Sequence, residues 1–154
     1  MKLTPNFSFA DLIGSETARM RGINNRPPIK VVRQLRTLAA GLERVRKLLK
    51  REFKLSSGYR SPVLNRFVSG SSRSRHVRGL AADFTAPKFG SPFRVCAAIL
   101  RSRLQFDQLI YEFGDTPDGG WVHIAFGHPN RRQVLTITKS GGRYRRGLRQ
   151  CRKR

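Results

Sequence analysis

Three residues have the types and settings to hold a metal ion. His76 stands seven residues before Asp83 in the stretch SRSRHVRGLAADF, residues 72–84. The chain has three histidines, and nine acids against 32 Lys and Arg, so an imidazole and a carboxylate set this close call for a reason. Zinc takes neutral imidazoles and carboxylates in a tetrahedral set and keeps one position open where it catalyses. His76 ends a Ser/Arg-rich loop, and Asp83 lies on the strand expected over GLAADFTA, residues 79–86. Gly79, Ala81 and Ala82 leave room for a turn and a close backbone approach. A third ligand must come from elsewhere, and His123, centred in WVHIAF, is the natural candidate. A strand fixes its direction and sets Trp121 on the same face. Taken singly, each residue has a plainer reading: a hydrogen-bonded core histidine, a turn or cap aspartate, a surface-loop histidine. Their combination with particular neighbours favours the metal.

Several elements must position these groups. Residues 1–28 read as an irregular arm with one short helix, capped by Ser8 and broken at GINNRPP. Residues 29–50 form the clearest helix: Val31, Leu35, Leu38, Leu42, Val45 and Leu49 recur at spacings of three and four, and Pro28 suits its start. FKLSSGYRSP reads as a short strand and turn, followed by a short helix at VLNRFV. A second helix covers SPFRVCAAILRSRL, with Ser91 as its cap and Pro92 in its first turn. FDQLIYEF (106–113) and WVHIAF (121–126) form a hairpin-like pair across GDTPDGG. RQVLTIT (132–138) reads as an edge strand. Together these predict an α+β domain, a small antiparallel sheet with helices against it.

A chain of 154 residues suits one domain. Its net charge of +23 attracts polyanions: nucleic acid, anionic lipid or anionic envelope polymers. Residues 131–154 hold ten Lys and Arg and no acid, and the last part reads as flexible or draped on the surface. Cys96 fits a buried helical position, Cys151 lies in the basic tail, and no disulfide framework is visible. The first residues lack the apolar core of an export signal, and no stretch is long and apolar enough to span a membrane. The expectation is a monomer made in the cytoplasm.

The blocks SGYRSP (57–62), Asn65, Ser74-x-His76-x-x-Gly79-x-Ala81-x-Asp83, FDQLIYEF and WVHIAF, in that order, resemble the zinc D-alanyl-D-alanine carboxypeptidase-like peptidases (peptidase family fifteen). More narrowly they resemble the subfamily of phage lysis enzymes, as does the opening FSFADLIGSETARMRGINNRPP. The resemblance spans about residues 5–126. It implies a hedgehog/D-Ala-D-Ala-peptidase-like fold. The expected organisation is a peptidase domain over residues 1–138, with the 1–28 arm packed on it, and a basic tail over 139–154. It implies one Zn2+ held by His76, Asp83 and His123. It also implies that Arg60 binds and polarises the substrate, as a fixed guanidinium can for a developing oxyanion. Ser74 and Trp121 join Arg60 as substrate-binding candidates.

A zinc peptidase also needs a general base. Many relatives place an acid three residues before the last histidine ligand, where this chain has Gly120. Glu112, at the end of the preceding strand, is the preferred base, and Asp115 and Asp118 in the connecting turn are runners-up. The expected function is hydrolysis of peptide bonds in peptidoglycan stem or cross-link peptides by an endolysin-like enzyme acting on the bacterial cell wall. Gly120 keeps open a catalytically silent zinc module that binds the wall, and the charge keeps open a nucleic-acid-binding protein.

Overall fold

The computed structural model describes residues 1–151. Its centre is a six-stranded sheet in the order β1-β2-β4-β3-β5-β6. The strands are β1 (Lys54–Ser57), β2 (Ala81–Thr85), β3 (Gln108–Glu112), β4 (Trp121–Ala125), β5 (Gln133–Ile137) and β6 (Tyr144–Arg146). All neighbours run antiparallel except β3 and β5, which are parallel. The α+β architecture agrees with the sequence pattern.

Strand alternation gives the sheet two unlike faces. Ala82, Phe84, Leu109, Tyr111, Val122 and Ile124 are buried in the main hydrophobic cluster. Helix α3 (Ile29–Leu49) supplies Leu35, Leu38, Leu42, Val45 and Leu49 to that cluster. Helix α5 (Pro92–Arg101) adds Val95, Cys96 and Ile99 and contacts α3, β3 and β4. Gly41 lets α3 approach closely, because a side chain there would overlap the Phe126 ring. Truncating one of these buried leucines to alanine would cost about 2–5 kcal/mol. The other face carries the residues in register between them: Asp83, His123, Ile110, Leu135 and Arg146.

The N-terminal arm holds two short helices rather than one, α1 (Phe9–Ile13) and α2 (Glu16–Met20). Ser8 and Asp11 close a reciprocal capping box on α1, and Ser15 caps α2 directly afterwards. Phe7, Leu12 and Ala18 are buried, which fixes the arm to the domain. Helix α4 (Pro62–Phe67) follows β1, with Ser61 as its cap.

Two expectations for the C-terminal region differ from the structure. Strand β5 is not an edge, because β6 pairs along it from Leu135↔Arg146 to Ile137↔Tyr144. The basic tail therefore returns to the sheet, where Leu148 and Cys151 pack against the core. Its charge is compatible with pairing because Tyr144, Arg145 and Arg146 all remain exposed. The expectation of a flexible end over residues 152–154 lies outside the described residues.

Candidate metal centre and active site

Strand register builds most of the site. Asp83 on β2 and His123 on β4 are direct partners across the pair. They share a face, while Phe84 and Val122 turn into the core. His76 comes from the irregular segment before β2, and backbone hydrogen bonds pin that segment. The Arg60 and Gly79 amides donate to the His76 carbonyl at 3.2 and 3.0 Å, and the Leu80 amide donates to Arg75 at 3.0 Å.

Three atoms converge as a result. His76 Nε2 lies 3.1 Å from Asp83 Oδ1 and 3.2 Å from His123 Nδ1, and His123 Nδ1 lies 2.9 Å from Asp83 Oδ1. All three residues are buried. Nδ1 of His76 is 2.6 Å from the Gly58 carbonyl, which accepts its proton and leaves Nε2 with a lone pair toward the cluster. With both imidazoles neutral, these buried atoms form a donor set that could hold one cation between them. Zinc with ligands at about 2.0–2.1 Å in a tetrahedral set separates those ligands by roughly 3.3 Å, close to the spacing here. The donor set, two imidazole nitrogens and one carboxylate oxygen, is also one that zinc takes. The residues fit the ion.

Outer contacts hold the ligands in place, as metal sites need. Arg60 donates to Asp83 Oδ2 at 2.6 Å and to Ser57 Oγ at 2.8 Å. Burial opposes ionisation of Asp83, but the neighbouring imidazoles of His76 and His123 outweigh it and hold the carboxyl well below its usual range. Gly58 has no space for a side chain because the Leu12 carbonyl lies against it. The Tyr59 amide donates to that same carbonyl at 2.7 Å. Asn25 then ties the arm to this segment. Its amide donates to the Ile13 and Tyr59 carbonyls, and its oxygen accepts from the Ser61 amide at 2.7 Å.

Glu112 ends β3 beside the metal strand, opposite Trp121. Its Oε1 is 4.0 Å from His123 Nδ1. Burial, and then the Asp83 charge, push its carboxyl up to about 7. Position 120, three residues before His123, has no room for an acid. Gly120 has φ +71°, and a side chain there would run into the Glu112 carbonyl. Asp115 accepts from the Lys139 and Ser140 amides at 2.8 and 3.0 Å, which draws its carboxyl down to about 2. Asp118 is exposed in the turn. Of the three acids, only Glu112 lines the cleft.

That cleft measures about 860 Å³ and takes in all three ligands, Glu112, Arg60, Ser74 and Trp121. Ser74 Oγ accepts from the His76 amide at 3.3 Å. Trp121 packs on Phe113, with ring centroids 5.1 Å apart. The third histidine, His128, is exposed and outside the cluster.

Two supporting residues, Asp107 and Asn25, were not foreseen. Asp107 has no exposed surface, pairs with Arg75 at 2.9 Å and accepts two bonds from Arg131 at 2.8 Å. It thereby clamps the residue next to His76. Its place directly before a strand, in a chain poor in acids, was the available signal. Nothing in GINNRPP marks Asn25 as the link between arm and site.

The profile of the peptidase M15 family matches residues 5–125. No curated protein matches the chain. The matched region contains His76, Asp83, His123, Arg60 and Glu112, and it ends with β4. The buried two-histidine, one-aspartate cluster lies within it. Among the described residues no helix is long and apolar enough to cross a membrane. With most of its length matched and a donor set suited to zinc at its centre, the chain belongs to peptidase family M15, a family of zinc-dependent peptidases.

Proposed function

We propose that this metallopeptidase hydrolyses peptide bonds in peptidoglycan stem or cross-link peptides, as a lysis enzyme of the bacterial cell wall. One observation carries the reading: a buried His76–Asp83–His123 cluster opens into a cleft with Glu112 Oε1 only 4.0 Å from a ligand atom. Residues 1–138 contain every group in this scheme.

His76, Asp83 and His123 would hold the ion. Zinc in such a site supplies an acidified water and a Lewis acid for the scissile carbonyl. Glu112, buried and raised in pKa, is tuned to take the proton from the attacking water at its carboxylate and to pass it to the leaving amine. Arg60 orients Asp83 by donating to Oδ2. Its guanidinium also lines the cleft, where a donor to the developing oxyanion is needed. Ser74 and Trp121 flank the substrate. The +23 charge draws the enzyme to anionic envelope polymers.

Turbidity loss of purified peptidoglycan, with mass spectrometry of the released fragments, tests this. Clearing that chelation stops and zinc restores supports it, and the fragments identify the bond cut. Intact peptidoglycan after zinc loading would leave a wall-binding module or a polyanion-binding protein as the better account.

A further inference from the structure

The cleft carries more positive charge than its own chemistry uses. Five arginines line it: Arg60, Arg73, Arg75, Arg131 and Arg146. Arg60 is paired with Asp83, and Arg75 and Arg131 with Asp107. Among the described residues the guanidinium groups of Arg73 and Arg146 have no ion-pair partner.

Arg146 has a defined relation to the metal cluster. One row of facing residues crosses the sheet, Asp83–His123–Ile110–Leu135–Arg146. Three strand intervals separate His123 from Arg146, about 14 Å at roughly 4.8 Å each. The adjacent row ends at Tyr144, which lies beyond Glu112 and Ile137 and also faces the cleft. Arg145 alternates to the opposite face. Strands β5 and β6 lie past the residues matched by the family, 5–125.

We infer that β6 is a specificity wall: Arg146, beside Tyr144, binds a carboxylate of the substrate about two to three residues from the scissile bond. An extended peptide advances about 3.3 Å per residue, so that span, shortened by the arginine side chain, bridges the row. A guanidinium presents paired donors that match a carboxylate, and an amide in its place forfeits the charge assistance. The inference rests on the peptidase reading for its scissile bond but makes a claim about binding. The carboxylate can come from a side branch of the peptide or from its C-terminus.

Calorimetry on the zinc-loaded full chain tests it, in a Glu112→Gln background so that no peptide is consumed. The probes are L-Ala-γ-D-Glu-L-Lys-D-Ala-D-Ala, the same peptide amidated at the D-Glu α-carboxylate, and the same peptide amidated at the C-terminus. One of the two amides should bind about three- to tenfold more weakly, and which one identifies the source. Arg146→Gln should erase that preference, whereas Arg145→Gln, with the same loss of charge on the opposite face, should keep it. The inference is overturned if no peptide binds, if neither amidation weakens binding, or if Arg146→Gln still discriminates. A preserved preference in a protein that cleaves none of these peptides, even with Glu112 intact, sinks the peptidase reading and leaves the carboxylate site standing.

Discussion

Nδ1 of His76 lies 2.6 Å from the carbonyl oxygen of Gly58, so a backbone group of one segment sets the tautomer of a ligand in another. Gly58 in turn rests against Leu12 of the N-terminal arm. The arm is thus part of the metal site's support. The purified protein should hold about one zinc per chain, and His76→Ala should lose it by elemental analysis. Zinc at one hundred times its dissociation constant should stabilise the wild type by about 2.7 kcal/mol, a gain that His76→Ala should not show in thermal melts.

Replacing Glu112 should separate binding from turnover. Glu112→Gln should keep its zinc and lower kcat by about 10²- to 10⁴-fold. As a base Glu112 must be ionised, so the wild-type rate should rise with pH along an acid limb. The carboxyl stands at about 7 without metal. A nearby dication favours the charged form, so the limb of the loaded enzyme should fall below pH 7. Equal activity in Glu112→Gln and wild type would refute the assignment.

The same carboxyl should shape the stability of the metal-free protein. Between about pH 4.5 and 7 the folded chain keeps a proton on Glu112 that the unfolded chain has released. The native state then binds more protons than the unfolded state, so stability falls as pH rises through this window. Asp83 has the opposite sign: its contribution is present above the usual aspartate range and is lost only on acidification. Denaturant titrations at pH 5 and 7.5 should show a loss for the wild type on the order of 2 kcal/mol relative to Glu112→Gln.

Gly120→Asp would place an acid three residues before His123. Here it should rescue nothing. Its side chain meets the Glu112 carbonyl in a backbone conformation with φ +71°. A double variant with Glu112→Gln should remain inactive and melt below the single variant, by about 1–3 kcal/mol in stability.

Much of this site was legible because its information is local. Ser91 before Pro92, and the stripe from Val31 to Leu49, announce α5 and α3 by capping and periodicity. His76, Asp83 and His123 stood out because imidazoles and acids are scarce in this chain. The hidden parts depend on partners far along the chain. RQVLTIT reads as an edge until Tyr144–Arg146 pairs with it, and a run of arginines gives no sign of a strand. The clamp of Asp107 on Arg75 and Arg131 joins residues 32 and 24 positions apart, a pairing that only tertiary structure sets. Asp107→Asn should therefore lower both zinc affinity and stability, the latter by about 2 kcal/mol, and equilibrium dialysis and melting should register both.

The direct pairing of Asp83 with His123 also makes the ion a proofreader of assembly. A slip of one residue between β2 and β4 would turn one of the two toward the hydrophobic interior and dismantle the donor set. Chains that finish folding in the wrong alignment cannot capture the metal, so the same event that arms the hydrolase certifies that its strands met in the right order.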